Sequence, residues 1–430
     1  MIDGFRDAFR LPDLKRRILF VIGALFIFRL GAHIPTPGID VEALRMMNTG
    51  AGQGILGFLD MLTGGALSNF GVFALGVGPY INSSIVMQLL VVIFPTLEKL
   101  QKEGEEGRKK ITQYTRMGTI FFAVVQAIGL SAWLRTLGIL PGGLFEMSVA
   151  VLAIVTGAIV VMWLGEVMSD HGIGNGTSMI IYAGIVSRFP ATITNTVSSI
   201  IGGTANILVV LVTLVIIVAV VAGCVCLQEG QRRLPVQYAK RMVGNKVYGG
   251  QSTFIPLKVN TAGVIPIIFA SSVLLFPGML AGFFDGSASA AIARMFSRTH
   301  PVYMILEVAL IIFFCYFYTA VVFNPGELSN NMKKYGGFIL GIRPGKPTTE
   351  YIERVMNRIT LGGALALATI TLIPNFISMV MRVDALAFGG TAVIIVVGVA
   401  LDTIHQVEGQ MLMRHYDGIL KRRGKGGGLL

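Results

Sequence analysis

Charged residues are scarce in this sequence, at 13% of its 430 residues, against about 25% in soluble globular domains. Because so few charges cannot cover the surface of a soluble domain, ordinary soluble enzymes are excluded. The apolar content of 53% also excludes a disordered chain, which needs low hydrophobicity. The composition therefore predicts a polytopic membrane protein, and its 53 glycines suit close packing of helices in lipid.

Cysteines are few and are not arranged in a framework. The three cysteines, Cys224, Cys226 and Cys315, all fall inside apolar runs. Neither a disulfide-stapled secreted domain nor a cysteine-ligated metal site fits this usage. We interpret them as small hydrophobic core residues.

Catalytic motifs are missing as well. The sequence has no HExxH and no GxSxG, and the glycine-rich stretches 172–176 and 341–347 depart from the spacing of nucleotide-binding loops. The five histidines lie at the ends of apolar runs or between them, which argues against an intramembrane protease. We therefore expect no enzyme activity and no cofactor, so that any uphill transport would draw its energy from a partner or from the membrane potential.

Long apolar runs are what the sequence does contain. A helix needs about 20 apolar residues to cross the hydrocarbon of a bilayer. Ten segments meet this requirement: 18–34, 74–95, 117–136, 147–168, 177–200, 206–227, 259–284, 302–323, 359–381 and 385–405. No small-residue cleavage site follows the first, which indicates a retained span rather than a signal peptide. The fifth is interrupted by Arg188 and Pro190.

The distribution of basic residues predicts the orientation. Of the 35 lysines and arginines, 28 lie at one set of span ends and six at the other, with Arg29 inside the first span. The positive-inside rule therefore places both termini in the cytoplasm. Ten spans also divide into two halves of five, and an odd number makes the second half begin on the opposite side. Two such halves of one fold would be related by a pseudo-two-fold axis in the membrane plane.

Ionisable residues within the apolar runs sit near their ends. Glu166 and Asp170 end the fourth run, and Glu307 lies near the outer end of the eighth. Ion-coupled transporters usually keep an acid or a histidine near the middle of the bilayer. The missing central carboxylate therefore argues against a secondary transporter for a small solute.

Uncharged polar residues cluster in the second and seventh spans. Asn82, Ser83, Gln88 and Asn260 would cost free energy if they faced lipid without a partner. Two interpretations stay open at this point. These residues either form ordinary hydrogen bonds between helices, or they line a channel or a movable seam.

Two further regions have alternative interpretations. The largely apolar stretch 55–67, too short to cross the bilayer, is either a re-entrant segment with a hinge at Gly64 and Gly65 or a helix on the outer leaflet. The basic loops 228–258 and 324–358 either dock a partner or RNA phosphates, or act only as an orientation signal.

Several stretches, taken together, resemble the bacterial SecY family, whose members form the central subunit of the Sec protein-conducting channel. The resemblance runs from about residue 14 to residue 408. It is carried by IPTPG at 34–38, FALG at 73–76, KEGEEGR at 102–108, GIGNG at 172–176, VIP at 264–266 and GIRPG at 341–345. It implies an all-α membrane protein with ten helices in two inverted five-helix halves around an hourglass pore.

The resemblance also implies a division of the chain. The N-terminal half would cover 1–200, with a re-entrant plug at about 54–70. The C-terminal half would cover 201–408 and carry the large cytoplasmic loops, and a basic cytoplasmic tail would follow at 409–430. The function implied is passage of unfolded secretory proteins across the bacterial inner membrane, with sideways release of hydrophobic segments into lipid.

Site residues are implied position by position. The apolar pore ring would consist of Val77, Ile81, Ile181, Ile268 and Ile395. The plug would include Phe58, Leu59, Met61, Leu62, Gly64 and Gly65. The lateral gate would include Asn82, Gln88, Asn260 and Phe276. The cytoplasmic docking site would include Arg232, Arg233, Lys240, Arg241 and Arg343. The partners implied are the small membrane subunits SecE and SecG, the SecA motor ATPase, the ribosome, secretory and membrane preproteins, and the lipid bilayer.

Overall fold

The structure is a computed structural model, and it is mostly helical. It describes residues 11–39, 60, 63–136, 138–140, 143–203, 207–238, 241–243, 246–248, 252–281, 295–296, 300–381 and 390–425.

Helices follow the apolar runs of the sequence. In the N-terminal part they are α1 (Pro12–Gly31), α2 (Gly78–Ile93), α3 (Pro95–Lys102), α4 (Glu105–Thr136), α5 (Leu144–His171), α6 (Gly176–Ser187) and α7 (Phe189–Ile201). In the C-terminal part they are α8 (Ile207–Glu229), α9 (Ile265–Ala281), α10 (Pro301–Val322), α11 (Pro325–Lys334), α12 (Lys346–Met381) and α13 (Gly390–Lys425).

Within the described residues, six helical stretches are long and apolar enough to cross a membrane, and they confirm a multi-pass membrane protein. They are Glu105–Arg135, Leu144–His171, Ile207–Glu229, Pro301–Lys334, Lys346–Ile377 and Gly390–Leu412. The pair α2 and α3 makes a seventh if it is counted as one span, although it bends by 101° at Phe94. Phe94 is extended there because the residue before a proline avoids the helical region.

The three remaining predicted spans are helical but do not pass as single long apolar helices. α1 begins with Lys15, Arg16 and Arg17 in its first two turns. The predicted fifth span is two helices, α6 and α7, which meet at Arg188, and α7 starts with Phe189 and Pro190. The predicted seventh span begins only at α9, because Gly263 takes a left-handed φ of +63° just before it.

The chain divides into two compact units. The first comprises Met1–Gly202, Ser272–His300 and Val399–Leu430, and the second comprises Gly203–Ser271 and Pro301–Gly398.

In the first unit, a core of buried apolar residues joins the segment 63–77 to the helices α4 and α5. The segment contributes Leu67, Phe70, Ala74 and Leu75. The helices contribute Ala123, Ala127, Leu130, Leu134, Ala150, Ile154, Val155 and Ala158. Alanines on both helices are small enough to let the two backbones approach closely.

In the second unit, the predicted basic loops form a small sheet instead of only loops. β1 (Gln231–Tyr238) pairs antiparallel with both β4 (Ser252–Lys258) and β5 (Gly337–Phe338), and β2 (Arg241–Val243) pairs with β3 (Lys246–Tyr248). Leu234 and Val236 of β1 are buried with residues of α11 and α12. The sheet is therefore fixed to the ends of these helices.

Candidate functional site

The segment 63–77 is a series of turns tied near its middle to residues 34–36. Thr36 donates its backbone N–H and its hydroxyl to the Phe70 carbonyl, at 2.9 and 2.8 Å, and the Val72 N–H donates to the Ile34 carbonyl at 2.9 Å. Pro35 and Gly71 form a single antiparallel bridge. These bonds hold the middle of the segment against the residues that follow α1.

The start of this segment has two successive glycines in left-handed conformations. Gly64 has φ of +68° and Gly65 has φ of +92°, a region that costs other residues energy. The predicted hinge glycines therefore lie at a reversal of the backbone. Of the other predicted plug residues, Phe58, Leu59, Met61 and Leu62 lie outside the described residues.

A network of polar side chains surrounds these glycines. Arg188, at the junction of α6 and α7, forms an ion pair with Asp60 and donates a hydrogen bond to the Ser68 hydroxyl at 2.9 Å. Asp60 also accepts from the backbone N–H and the hydroxyl of Ser68, at 2.6 and 2.8 Å. Arg29 of α1 donates to the Gly64 carbonyl. The Asp60 side chain is only 7% exposed and that of Arg188 is 34% exposed, so water screens this pair only in part.

Sequence reasoning missed this pairing, although both members carried a signal. Arg188 is a lone cation inside a predicted span, and Asp60 is an acid within a short apolar stretch on the same predicted side. Each would be costly without a partner in apolar surroundings. The sequence does not reveal which ionisable group a lone cation or acid will pair with.

The predicted pore-ring residues of the first unit are all buried. Val77 is the residue before α2 and is 5% exposed, and Ile81 lies one turn further and is 6% exposed. Their spacing of four places both on one face of the helix. Ile181, in the middle of α6, is 1% exposed.

The two ring residues of the second unit are buried as well. Ile268 in α9 is 7% exposed, and Ile395 in α13 is 1% exposed. All five residues are apolar and uncharged. That they form one ring stays a prediction.

The predicted gate residues include one amide that is not fully satisfied. Gln88 donates its Nε2 to the Ser84 hydroxyl at 3.3 Å, but its buried Oε1 accepts no hydrogen bond within the described part of the chain. Asn260 is buried and donates to the Gly263 carbonyl at 2.9 Å. Asn82 is half-buried on α2, and the side chain of Phe276 lies outside the described ones.

Ser83 differs from its neighbours on α2, because it supplies a bond between helices. Its hydroxyl donates to the Thr115 carbonyl of α4 at 2.6 Å. For Ser83, the interpretation as an ordinary hydrogen bond between helices is therefore the correct one.

The predicted docking residues lie on the sheet side of the second unit. Arg232 and Arg233 are exposed on β1, and the Arg233 guanidinium stacks 4.7 Å from the centre of the Phe254 ring. Arg343 is exposed in the turn before α12, where its carbonyl accepts a hydrogen bond from the Thr348 hydroxyl at 2.8 Å. Arg241 lies in the strand β2, with its side chain outside the described ones, and Lys240 is outside the described residues.

The buried acid of the second unit has a partner. Glu307 of α10 is 1% exposed and accepts a hydrogen bond from the Asn375 amide of α12 at 3.3 Å. This hydrogen bond satisfies one of the ionisable residues that the sequence places near a span end. Among the described residues, no group of three or more histidines, cysteines or acids is placed to hold a metal ion.

Comparison with known proteins gives consistent results. The SecY family profile matches residues 71–404. The protein translocase subunit SecY of Thermus thermophilus is 45% identical over 430 residues, which is 98% of each chain.

Two solved structures share the fold. A structure described as that of a protein conducting channel has a TM-score of 0.64 at 18% identity and 91% coverage of both chains. Sec61 from the canine ribosome–channel complex of the endoplasmic reticulum has a TM-score of 0.59 at 17% identity, again with 91% coverage of both chains.

Proposed function

Since this chain belongs to the SecY family, we propose that it is the pore-forming subunit of a protein translocation channel. It passes unfolded secretory proteins across the membrane, releases hydrophobic segments sideways into lipid and supplies no energy itself. The family is one of channels and not of enzymes. The observation that carries the proposal is the placement of buried, uncharged Val77 and Ile81 where the segment 63–77 ends and α2 begins.

The proposed pore ring forms an apolar waist in the channel, and it does not bind the passing chain specifically. An apolar constriction binds neither ions nor water strongly and closes by dewetting. Four of its five residues are isoleucine and the fifth is valine, and such side chains are stiff at χ1. They keep the aperture defined. Because none of them offers a hydrogen bond to a passing chain, an unfolded chain of any sequence can slide through.

The proposed plug is the segment that begins near residue 54 and continues through 63–70. Its described part is packed on α4 and α5 through Leu67 and Phe70, and its turns need no long helix to be unfolded when it moves. Such a segment can block the outer funnel at rest and leave it when a substrate enters.

The proposed lateral gate includes Asn82 and Gln88 on α2, together with Asn260 and Phe276. Polar residues weaken a seam between helices relative to apolar packing, and the unsatisfied Gln88 amide supports this role. Once the seam is open, a passing segment partitions by its own composition. A leucine, isoleucine, phenylalanine or valine favours insertion by about 0.3–0.6 kcal/mol, and a central aspartate, lysine or arginine opposes it by about 2.5–3.5 kcal/mol.

The proposed partners bind the cytoplasmic face. Exposed Arg232, Arg233 and Arg343, with Lys240 and Arg241, would present cations to the SecA motor ATPase or to ribosomal RNA phosphates. The Sec61 structure with the same fold comes from a ribosome–channel complex, which supports a ribosome as one partner. SecE and SecG would complete the membrane complex.

The proposed setting is the bacterial cytoplasmic membrane, with both termini in the cytoplasm. In this arrangement residues 1–200 and 201–408 are the two inverted halves, and 409–430 is the basic tail. The bias of 28 basic residues to one side supports the orientation.

Reconstitution tests the proposed function. The purified chain is placed in liposomes with SecE, SecG, SecA, ATP and a secretory precursor, and external protease is then added. We expect a protease-protected precursor only when the chain and ATP are both present. Protection of the precursor without this chain would contradict the proposal. A lack of protection when all components are present and active would contradict it as well.

A further inference from the structure

The segment 63–77 is fixed near its middle by close backbone packing. Around Gly71, the Val72–Ile34 and Thr36–Phe70 bonds join main chain to main chain, and the Thr36 hydroxyl adds one further bond to the Phe70 carbonyl. A methyl group at Gly71 would lie 2.6 Å from the carbonyl oxygen of Ala32. This point has no free space and is bonded mainly through the backbone, so it is suited to act as a pivot for the residues before it.

The part of the segment before Gly71 is held by side chains. Asp60 and Ser68 contact Arg188, and Gly64 accepts from Arg29. These contacts break by rotation of side chains, and no helix has to unwind. This part can therefore be released while the backbone bonds around Gly71 stay in place.

Two cations and one acid surround the part of the segment before Gly71. Both arginines converge on the two glycines, since a methyl group at Gly64 would lie 3.3 Å from the Arg29 guanidinium and one at Gly65 would lie 3.5 Å from that of Arg188. Asp60 is the acid that the described network places between them. Without it, two neighbouring cations would face backbone carbonyls and each other in a half-buried site, which is unfavourable.

Phe70 adds a backbone conformation that favours release. Its φ is +40°, a value that residues with a Cβ rarely adopt. The two hydrogen bonds from Thr36 to the Phe70 carbonyl hold it there. The closed position of the segment is therefore maintained by specific bonds against a local strain.

We infer that the Asp60–Arg188 ion pair is a latch that holds residues 63–70 of the segment 63–77 in their closed position. Ser68 and Arg29 support the latch, and residues 63–70 swing about Gly71 when the pair opens. This inference rests on the proposed function, in which the segment is part of the plug.

The test measures resting conductance in planar bilayers for the complete channel complex without substrate. The variants are D60N, R188Q and the double variant D60N/R188Q. Removing one member of a buried pair leaves the other charge uncompensated. After allowance for the partial exposure of Arg188, we expect each single variant to raise the leak by roughly ten- to hundredfold. The double variant should leak less than the product of the two single effects, because neither charge is left alone.

A second readout follows the segment itself. Leu67 is 5% exposed, and it is replaced by cysteine in a chain without Cys224, Cys226 and Cys315. A membrane-impermeant maleimide should label this cysteine faster in the D60N and R188Q backgrounds, by about the same factor as the leak. The thermal unfolding midpoint is measured in parallel, so that a variant that fails to fold is recognised.

The chain offers a matched control in R116Q. Arg116 of α4 pairs with Glu166 of α5 at 2.8 Å, and this pair includes neither Asp60 nor Arg188. R116Q should leave leak and labelling at the level of the unmodified chain. An equal effect of R116Q and D60N would overturn the latch, because loss of any ion pair would then loosen the structure.

The outcomes separate the latch from the proposed function. If the unmodified complex translocates precursor while D60N and R188Q leave leak and labelling unchanged, the latch is wrong and the channel function stands. If the unmodified complex translocates nothing, the proposed function fails and the latch fails with it. Increased leak and labelling in both single variants, with a smaller combined effect, would establish the latch.

Discussion

Replacing Gly71 by alanine is expected to strain the pivot of the segment 63–77. The added methyl would lie 2.6 Å from the Ala32 carbonyl oxygen and 3.0 Å from its carbonyl carbon. Both are backbone atoms and cannot rotate away. Overpacking of this kind costs about 1–3 kcal/mol.

The backbone shift needed to relieve the overlap also weakens the local hydrogen bonds. The Val72–Ile34 and Thr36–Phe70 bonds, both 2.9 Å long, cross this point, and a typical bond contributes about 1 kcal/mol. We expect a total loss of about 2–4 kcal/mol in the free energy of unfolding. An unfolding entropy of about 2.1 cal/mol/K per residue corresponds to about 0.9 kcal/mol/K for 430 residues. The midpoint of thermal unfolding should therefore fall by about 2–4 °C.

Gly78→Ala is the matched control, because a methyl group there meets no heavy atom within 4 Å. It lies at the start of α2, where alanine is at least as favourable as glycine. The assay is thermal unfolding of the purified complex in detergent, followed by fluorescence. Equal midpoints for Gly71→Ala and Gly78→Ala would refute the close-packed pivot.

Three further changes test the remaining contacts. Thr36→Val removes the hydroxyl bond to the segment and should destabilise its closed position by about 1 kcal/mol. The resting conductance should then rise roughly fivefold. An unchanged conductance would show that this bond does not hold the segment closed. A disulfide between cysteines placed at Asn82 and Phe276 should lock the proposed gate, and full translocation after oxidation would refute the gate assignment. Arg343→Glu should slow SecA-driven translocation in liposomes, while Arg354→Glu, at an exposed position on α12, should not; equal rates for both would remove Arg343 from the docking site.

The membrane helices were predictable to the extent that apolar runs report them. The run at 147–168 corresponds to α5, which extends only one turn further at either end. α4 begins at Glu105, twelve residues before its predicted start, because its charged first turns are helical without being apolar. Hydropathy detects the apolar part of a helix and does not detect its charged turns.

The contacts that hold the segment 63–77 were not predictable in the same way. Asp60 and Arg188 are 128 residues apart, and no local pattern connects them. Composition shows that each is out of place in apolar surroundings, but their pairing depends on how α6 and α7 meet at Arg188. The φ of +40° at Phe70 is equally hidden, since nothing in a phenylalanine favours that conformation. Tertiary contacts decide both features.

The central claim is that an apolar waist separates the two sides of the membrane, and resting conductance tests it most directly. Ile81, Ile181, Ile268 and Ile395 are replaced by asparagine, singly and together, and the closed complex is measured in planar bilayers. The account predicts ion currents that rise with each substitution, because polar side chains keep the constriction wet. Conductance that stays at the level of the unmodified channel after all four replacements would contradict it.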